Sequence, residues 1–364
     1  MFGLRNAVVL FHNPGLIVIT LTLALFIITV AAVTFLFMKW FISYADSVQI
    51  TDVPNGRSAH TKPTPTSGGI GFVIVSMGAI LIYAYLSDYS DSSSFLTFST
   101  ILCAMALIGW MDDKHELSRK LRYGAQSAAA IAVILFIGNM DTFHLPYLGL
   151  MNLGFIGFVF AFVWITGTPN IYNFMDGVDG IASMQAIAAS AGWMYLASSW
   201  YMPELLIINL FIFISVTVFL WFNWAPASIF MGDVGSLFLG FLFAIMPFYA
   251  AYLPGSPDIG LLIWVAAIML WPFLFDGAYT LFRRAKRGEN ILEPHRSHLY
   301  QRLYELNWPH YKISLLYGVF TIVTVSCAIT YVTVSEGVRL LILLLLLTSS
   351  FGFAAYVKRL ESKM

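Results

Sequence analysis

Charge is scarce in this sequence: Asp, Glu, Lys and Arg together make up 10% of its 364 residues, where a soluble domain carries roughly 25%. That excludes an ordinary soluble protein. The few charges also cancel, nineteen basic against nineteen acidic, so no cationic excess exists to hold a polyanion by counterion release, which argues against nucleic acid as a partner. Cysteine is scarcer still. Cys103 and Cys327 both lie inside apolar runs, which rules out a disulfide scaffold and reads as small lipid- or core-facing side chains. No long Ser/Gly/Pro tract, charge block or short repeat marks a linker or an array.

What fills the chain instead is hydrophobic sequence, 59% of it. A helix needs about 20 mostly apolar residues to cross a bilayer, and eleven such runs follow one another near 15–41, 68–86, 95–111, 121–138, 151–167, 180–200, 204–222, 234–253, 259–282, 313–333 and 337–357. The runs are continuous, whereas an outer-membrane strand would alternate over about 10 residues. The expectation is an all-α, polytopic integral membrane protein of about eleven transmembrane helices, with residues 1–364 forming one domain. The first run is longer than the apolar core of a signal peptide, so removal of the N-terminus is not expected.

Cytoplasmic loops keep the excess of Lys and Arg. With eleven spans, the segments after spans 1, 3, 5, 7, 9 and 11 share a side and hold all the basic residues but Arg5 and Arg339. The predicted orientation is N-terminus outside and C-terminus inside, with inner-face loops at 42–67, 112–120, 168–179, 223–233 and 283–312.

The polar residues able to do chemistry fall on that same inner side. Asp112 and Asp113 end span 3, the stretch Asn170-Ile-Tyr-Asn173-Phe-Met-Asp176-Gly-Val-Asp179-Gly180 follows span 5, Met231-Gly-Asp233-Val-Gly-Ser236 opens span 8, and His295-Arg296-Ser-His298 lies after span 9. Each has a plainer reading. Asp112-Asp113 alone is equally a solvated helix stop, Asn170 equally a cap, and Arg283, Arg284, Lys286 and Arg287 read better as orientation or headgroup contacts. Capping does not account for Asp176 and Asp179 so near an apolar span, where a buried carboxylate costs a few kcal/mol. Adjacent helical residues point about 100° apart, so Asp112 and Asp113 serve different partners. Asp233 stands between two glycines that permit close backbone approach. Pro294 suits the first turn of a short helix whose N-terminus favours an anion such as phosphate.

Hard oxygen donors suit Mg2+ or Mn2+, and no Cys/His grouping has structural-zinc spacing. Aspartates gathered with His and Arg make sense where a divalent ion meets a polyphosphate. The inferred chemistry is phosphoryl transfer at the inner membrane face.

At this point the sequence resembles the polyprenyl-phosphate N-acetylhexosamine-1-phosphate transferases, a glycosyltransferase family that includes the phospho-MurNAc-pentapeptide translocase and the enzymes that initiate O-antigen synthesis. The resemblance rests on Lys62-Pro-Thr-Pro-Thr-Ser-Gly-Gly69, Asp112-Asp113, the Asn173 to Gly180 stretch, Asn223, Phe230-Met-Gly-Asp-Val-Gly-Ser236 and His295-Arg-Ser-His-Leu-Tyr-Gln-Arg302. It implies that polyprenyl phosphate, undecaprenyl phosphate in a bacterium, attacks the β-phosphorus of a UDP-sugar at the inner membrane and releases UMP. It further implies that Asp112, Asp113 and Asp233 are catalytic, with Asp233 and Asp112 on Mg2+ (or Mn2+). Substrate contacts are implied for Lys62, Asn173, Asp176, Asp179, Asn223, Phe230, His295, Arg296, His298 and Arg302, with Phe230 stacking on uracil. Membrane lipid is the surrounding partner, and a homodimer is allowed. The last inner loop reads His-Arg-Ser-His where the translocase branch has consecutive histidines. That points to the O-antigen branch and to an N-acetylated amino sugar such as FucNAc, QuiNAc or GlcNAc. A cation-coupled transporter is the competing class, but its carboxylates belong near mid-membrane between paired repeats. A purely structural subunit leaves five inner-face aspartates unexplained.

Overall fold

The computed structural model describes residues 14–52, 63–87, 93–290 and 295–363, with side chains from residue 22 onward. Lys62 lies outside the described residues. The chain runs as α1 (Pro14–Ser47), β1 (Thr51–Asp52), β2 (Thr64–Pro65), α2 (Gly69–Leu86), α3 (Ser93–His115), α4 (Arg119–Phe136), β3 (Thr142–Leu145), β4 (Gly149–Asn152), α5 (Phe155–Met175), α6 (Ile181–Ser199), α7 (Pro203–Asn223), α8 (Gly232–Tyr252), α9 (Ile259–Met269), α10 (Trp271–Lys286), α11 (Leu299–Glu305), α12 (His310–Thr333) and α13 (Glu336–Glu361). The strands form only two small antiparallel pairs, β1 with β2 and β3 with β4. The protein is an all-α membrane bundle around one continuous apolar core.

Each of the eleven apolar runs is helical, but fewer qualify as spans. Among the described residues eight helices are long and apolar enough to cross a membrane, or nine if the bent pair α9–α10 is one span. The two that fall short are α4, which opens on Arg119, Lys120 and Arg122, and α6, whose Ser, Gln and Gly residues lower its hydropathy. Both still connect opposite ends of the bundle. Arg122 at the start of α4 reaches Asp112 at the end of α3, whereas the far end of α4 leads into the β3–β4 hairpin. Gly180, before α6, donates its amide to Asn223 at the end of α7, so α6 and α7 run antiparallel.

The run 259–282, expected as one span, is broken: α9 and α10 meet at 81°. Pro272 supplies the reason, since it has no N–H to continue the ladder and its ring collides with the preceding turn. The break turns α10 so that Asp276 reaches the 295–302 segment. The fifth run also differs, because α5 continues to Met175 through Pro169. Asn170 and Asn173 therefore sit on its last turns and not in a following loop.

At the centre stands α8, apolar on all sides and 94% buried along its most apolar stretch, packed by α2, α3, α5 and α9. A helix apolar all round belongs inside a bundle. Its first turn carries Asp233, so the most enclosed helix positions the most distinctive carboxylate.

Candidate active site

Glycine at two positions lets the backbone close up around Asp233. A Cβ on Gly69 would come within 2.4 Å of the Gly235 Cα, so α2 and α8 cross in near backbone contact. Gly232 adopts φ +73°, and a Cβ there would lie 2.5 Å from Asp113 Oδ2 and 2.8 Å from the Ser67 Cα. The segment before α2 is then pinned along the strand-like stretch before α8: Phe230 N donates to Pro65 O (2.8 Å), Gly68 N to Phe230 O (2.9 Å) and Gly69 N to Met231 O (2.8 Å).

Asp113 accepts from the amides of Asp233 (2.7 Å) and Val234 (3.2 Å). It caps α8 from a different helix, satisfying donors that a helix N-terminus leaves unpaired. Its adjacent partner does something else, as the angular separation of neighbouring residues predicts. Asp112 accepts from Leu117 N through Oδ1 (2.8 Å) and from Arg122 Nη1 through Oδ2 (2.6 Å). The same Arg122 nitrogen lies 3.3 Å from Asp233 Oδ2. Asp233 Oδ1 accepts from Asn173 Nδ2 at 2.7 Å, and Asn173 Nδ2 also reaches Ser236 Oγ at 2.8 Å. Asp112, Asp113, Asn173 and Asp233, expected from sequence to share a site, are thus brought together, with Asp233 30% exposed at its opening.

Asp176 ends α5 beside them. Burial, followed by the charges of Asp113 and Asp179, pushes its carboxyl up to about 7. The folded state therefore holds this proton more tightly than the unfolded chain. The resulting stability is full below the ordinary carboxylate range and is lost as pH rises through about 7. Asp176→Asn removes the burden, so in protein free of divalent ions and nucleotide it should raise the melting temperature at pH 8 and raise it less at pH 5. Equal shifts at both pH values would contradict this assignment.

Other expected substrate contacts are engaged with the protein itself. Asn223 Oδ1 accepts from Gly180 N and Ser183 Oγ, both at 3.1 Å, while its Nδ2 donates to Ile229 O at 3.0 Å. Asp179 accepts from Ala227 N at 3.1 Å and pairs with His310 at 3.0 Å. Phe230 is half-buried, with its backbone held as described. His298 is buried against Asp276, Nδ1 to Oδ1 3.3 Å, and caps α11 together with Gln301. Arg302 is also buried, and it forms a two-pronged ion pair with Glu361 at the end of α13. Through that pair it ties α11 to the C-terminal helix. His295 is half-buried beside Ser297; burial, then the neighbouring His298 and Arg284, lowers its imidazole to about 4. Arg296 borders a small open depression lined also by Gly177, Val178, Tyr300, Gln301, Tyr304 and Glu305.

Sequence reasoning missed Arg122, Asp276 and His310. Signals existed for the first two. A basic residue in the first turn of α4 opposes the helix dipole unless an acid compensates it, and a lone Asp in the apolar stretch Trp271–Leu281 demands buried partners.

Among the described residues no group of three or more His, Cys, Asp or Glu is arranged to hold a metal ion. Mg2+ needs only one or two carboxylates, since phosphate and water complete its shell, so Asp112 and Asp233 are a donor set that could hold it. Arg122 Nη1, within 3.3 Å of both Asp112 and Asp233, marks a point where one cation touches both acids.

The fold and site define a multi-pass membrane protein with an acidic cluster at the helix ends of one face. The chain belongs to glycosyl transferase family 4, whose model matches residues 94–251. That span runs from α3 through α8 and so contains the whole aspartate cluster. Over 293 residues the chain is 28% identical to the probable undecaprenyl-phosphate N-acetylglucosaminyl 1-phosphate transferase of Bacillus subtilis (strain 168), covering 78% of this chain and 80% of that protein. It is 30% identical over 230 residues to the phospho-N-acetylmuramoyl-pentapeptide-transferase of Latilactobacillus sakei subsp. sakei (strain 23K), covering 59% and 71% respectively. The corresponding protein of Lactococcus lactis subsp. cremoris (strain MG1363) matches at 30% over 200 residues, 52% of this chain and 60% of that one.

Proposed function

We propose that the protein transfers a sugar-1-phosphate from a UDP-sugar to polyprenyl phosphate, undecaprenyl phosphate in a bacterial inner membrane. A lipid phosphate oxygen forms a bond to the β-phosphorus, the bond from that phosphorus to the bridging oxygen of the diphosphate breaks, and UMP leaves with the electron pair. The observation that carries the reading is the Asp112–Arg122–Asp233 bridge at the head of α8, in a chain whose relatives include an undecaprenyl-phosphate N-acetylglucosaminyl 1-phosphate transferase.

Asp233 and Asp112 would hold Mg2+ or Mn2+. When bound, such an ion screens the charge of two anionic reactants and of the departing phosphate. Asn173 orients Asp233, Asp113 fixes the backbone beneath it, and Arg122 supplies positive charge beside the phosphates. A phosphate monoester is already largely ionised at neutral pH, its second pKa being about 6, so no base is needed. With no base required, the role left to Asp112 is to position the ion and the lipid phosphate. Accordingly, the UMP release lost in Asp112→Asn should not return between pH 7 and 9, whereas full alkaline rescue would restore the base role.

The His295-Arg296-Ser297-His298 loop supports an N-acetylated amino sugar over the peptide-bearing substrate, as in the O-antigen-initiating branch. The lopsided Lys/Arg distribution supports an outside N-terminus, with the C-terminus and the site in the cytoplasm. Purified protein given polyprenyl phosphate, Mg2+ and a panel of UDP-amino sugars should release UMP and form a lipid diphosphosugar identifiable by mass spectrometry. If no donor in the panel yields UMP, the assignment fails.

A further inference from the structure

We infer that His310 is a positioning residue of this site, acting through Asp179 to set the 224–231 segment that carries Phe230 and leads into Asp233. The inference rests on the transferase reading only where it names the step that suffers.

The segment between α7 and α8 has no regular structure to hold it and depends on specific anchors. Its end is tied by Phe230 N to Pro65 O (2.8 Å), and Ile229 O accepts from Asn223 (3.0 Å). In its middle, Ala227 N donates to Asp179 Oδ2 at 3.1 Å. That anchor is only as fixed as the Asp179 side chain. Asp179 precedes α6 in a loop, and what fixes it comes from the first turn of α12: His310 Nδ1 meets Oδ1 at 3.0 Å, and Ser314 Oγ donates to the Asp179 carbonyl at 2.6 Å. Residues four apart on a helix share a face, so one turn of α12 grips both the carboxylate and the backbone of Asp179.

The imidazole is itself seated, with the Tyr304 ring edge-on to it at 5.1 Å. The same Nδ1 lies 3.4 Å from the Asp179 amide N, but the shorter approach to a carboxylate oxygen places the proton on Nδ1, and a bond from it to a carboxylate is charge-assisted and stronger than a neutral one. Removing it frees the carboxylate to rotate and leaves the Ala227 amide without its acceptor. The aspartate thus reaches the reacting groups by shaping the wall that Phe230 belongs to, with both of its oxygens spent on the protein.

The test compares His310→Ala and His310→Asn, the latter restoring an N–H donor near the Nδ1 position. With UDP-N-acetylglucosamine as donor, His310→Ala should raise KM about tenfold and lower kcat less than about threefold, the size expected from one lost charge-assisted bond. His310→Asn should recover most of the KM. Independently of any substrate, amide hydrogen exchange across 224–231 should quicken in the alanine variant and stay protected in α8. An unchanged KM with reduced kcat, no recovery in the asparagine variant, or unchanged exchange at 224–231 would each overturn the inference. Wild-type protein that releases no UMP from any donor would sink the transferase reading instead, while the exchange measurement would still judge His310.

Discussion

Asp233→Asn is expected to lower UMP release by about a hundredfold to a thousandfold, the scale associated with removing a central electrostatic group from an active site, while leaving the protein folded and membrane-inserted. Asp233 accepts from Asn173 through one oxygen and meets Arg122 through the other. An amide cannot replace both acceptors: whichever way it is turned, an NH2 group faces a donor. It also removes the negative charge that would hold a divalent ion. The fold is spared because α8 is capped by Asp113 through the backbone amides of residues 233 and 234, and the side chain of 233 takes no part in that cap. Steady-state UMP release beside a thermal melt of the detergent-solubilised variant checks both halves. Turnover like the wild type would remove Asp233 from the chemistry.

The second large effect is expected at a residue away from the aspartate cluster. Asp276 is 1% exposed and accepts from Leu299 N (2.8 Å), Tyr300 N (3.2 Å), Thr280 Oγ1 (3.2 Å) and Tyr317 OH (2.6 Å), with His298 Nδ1 at 3.3 Å. It is the seat on which α11 and the two-histidine loop rest. Asp276→Asn points an NH2 group at a ring of donors and should destabilise the protein by about 3–5 kcal/mol, the cost of breaking a buried charged pair by changing one partner. The melting temperature should fall and UMP release with it, as the 295–302 segment loses its seat. A variant that melts and turns over like the wild type would mean that Tyr317 and the α11 amides find other acceptors.

Asp276 also marks the limit of what sequence alone made legible. The apolar runs fixed the class of fold, and the basic-residue asymmetry gathered Asp112, Asp113, Asn173 and Asp233 onto one face; their contacts show that they do meet. Those inferences use short-range periodicity and charge, both written locally in the chain. Pairings such as Arg122 with Asp233 or His310 with Asp179 join residues more than a hundred positions apart, and periodicity carries no information about them. The same gap explains Arg302. From its place beside two histidines it resembles a phosphate ligand, yet Glu361, brought alongside by the final helix, claims its guanidinium. The break between α9 and α10 was written at Pro272 but masked by the unbroken hydropathy around it. Lys62 lies outside the described residues.

The burial of α8 has a consequence for how the protein lives in a bilayer. Helices that face lipid tilt or shift when the hydrocarbon layer thickens or thins, and α1 from Thr22 onward and α13, with only 22% and 28% of their most apolar stretches buried, are exposed to that influence. The rod beneath Asp233 is sheathed by protein along its length. Changes in lipid composition should be absorbed at the rim, leaving the reaction geometry insulated from the physical state of the membrane it serves.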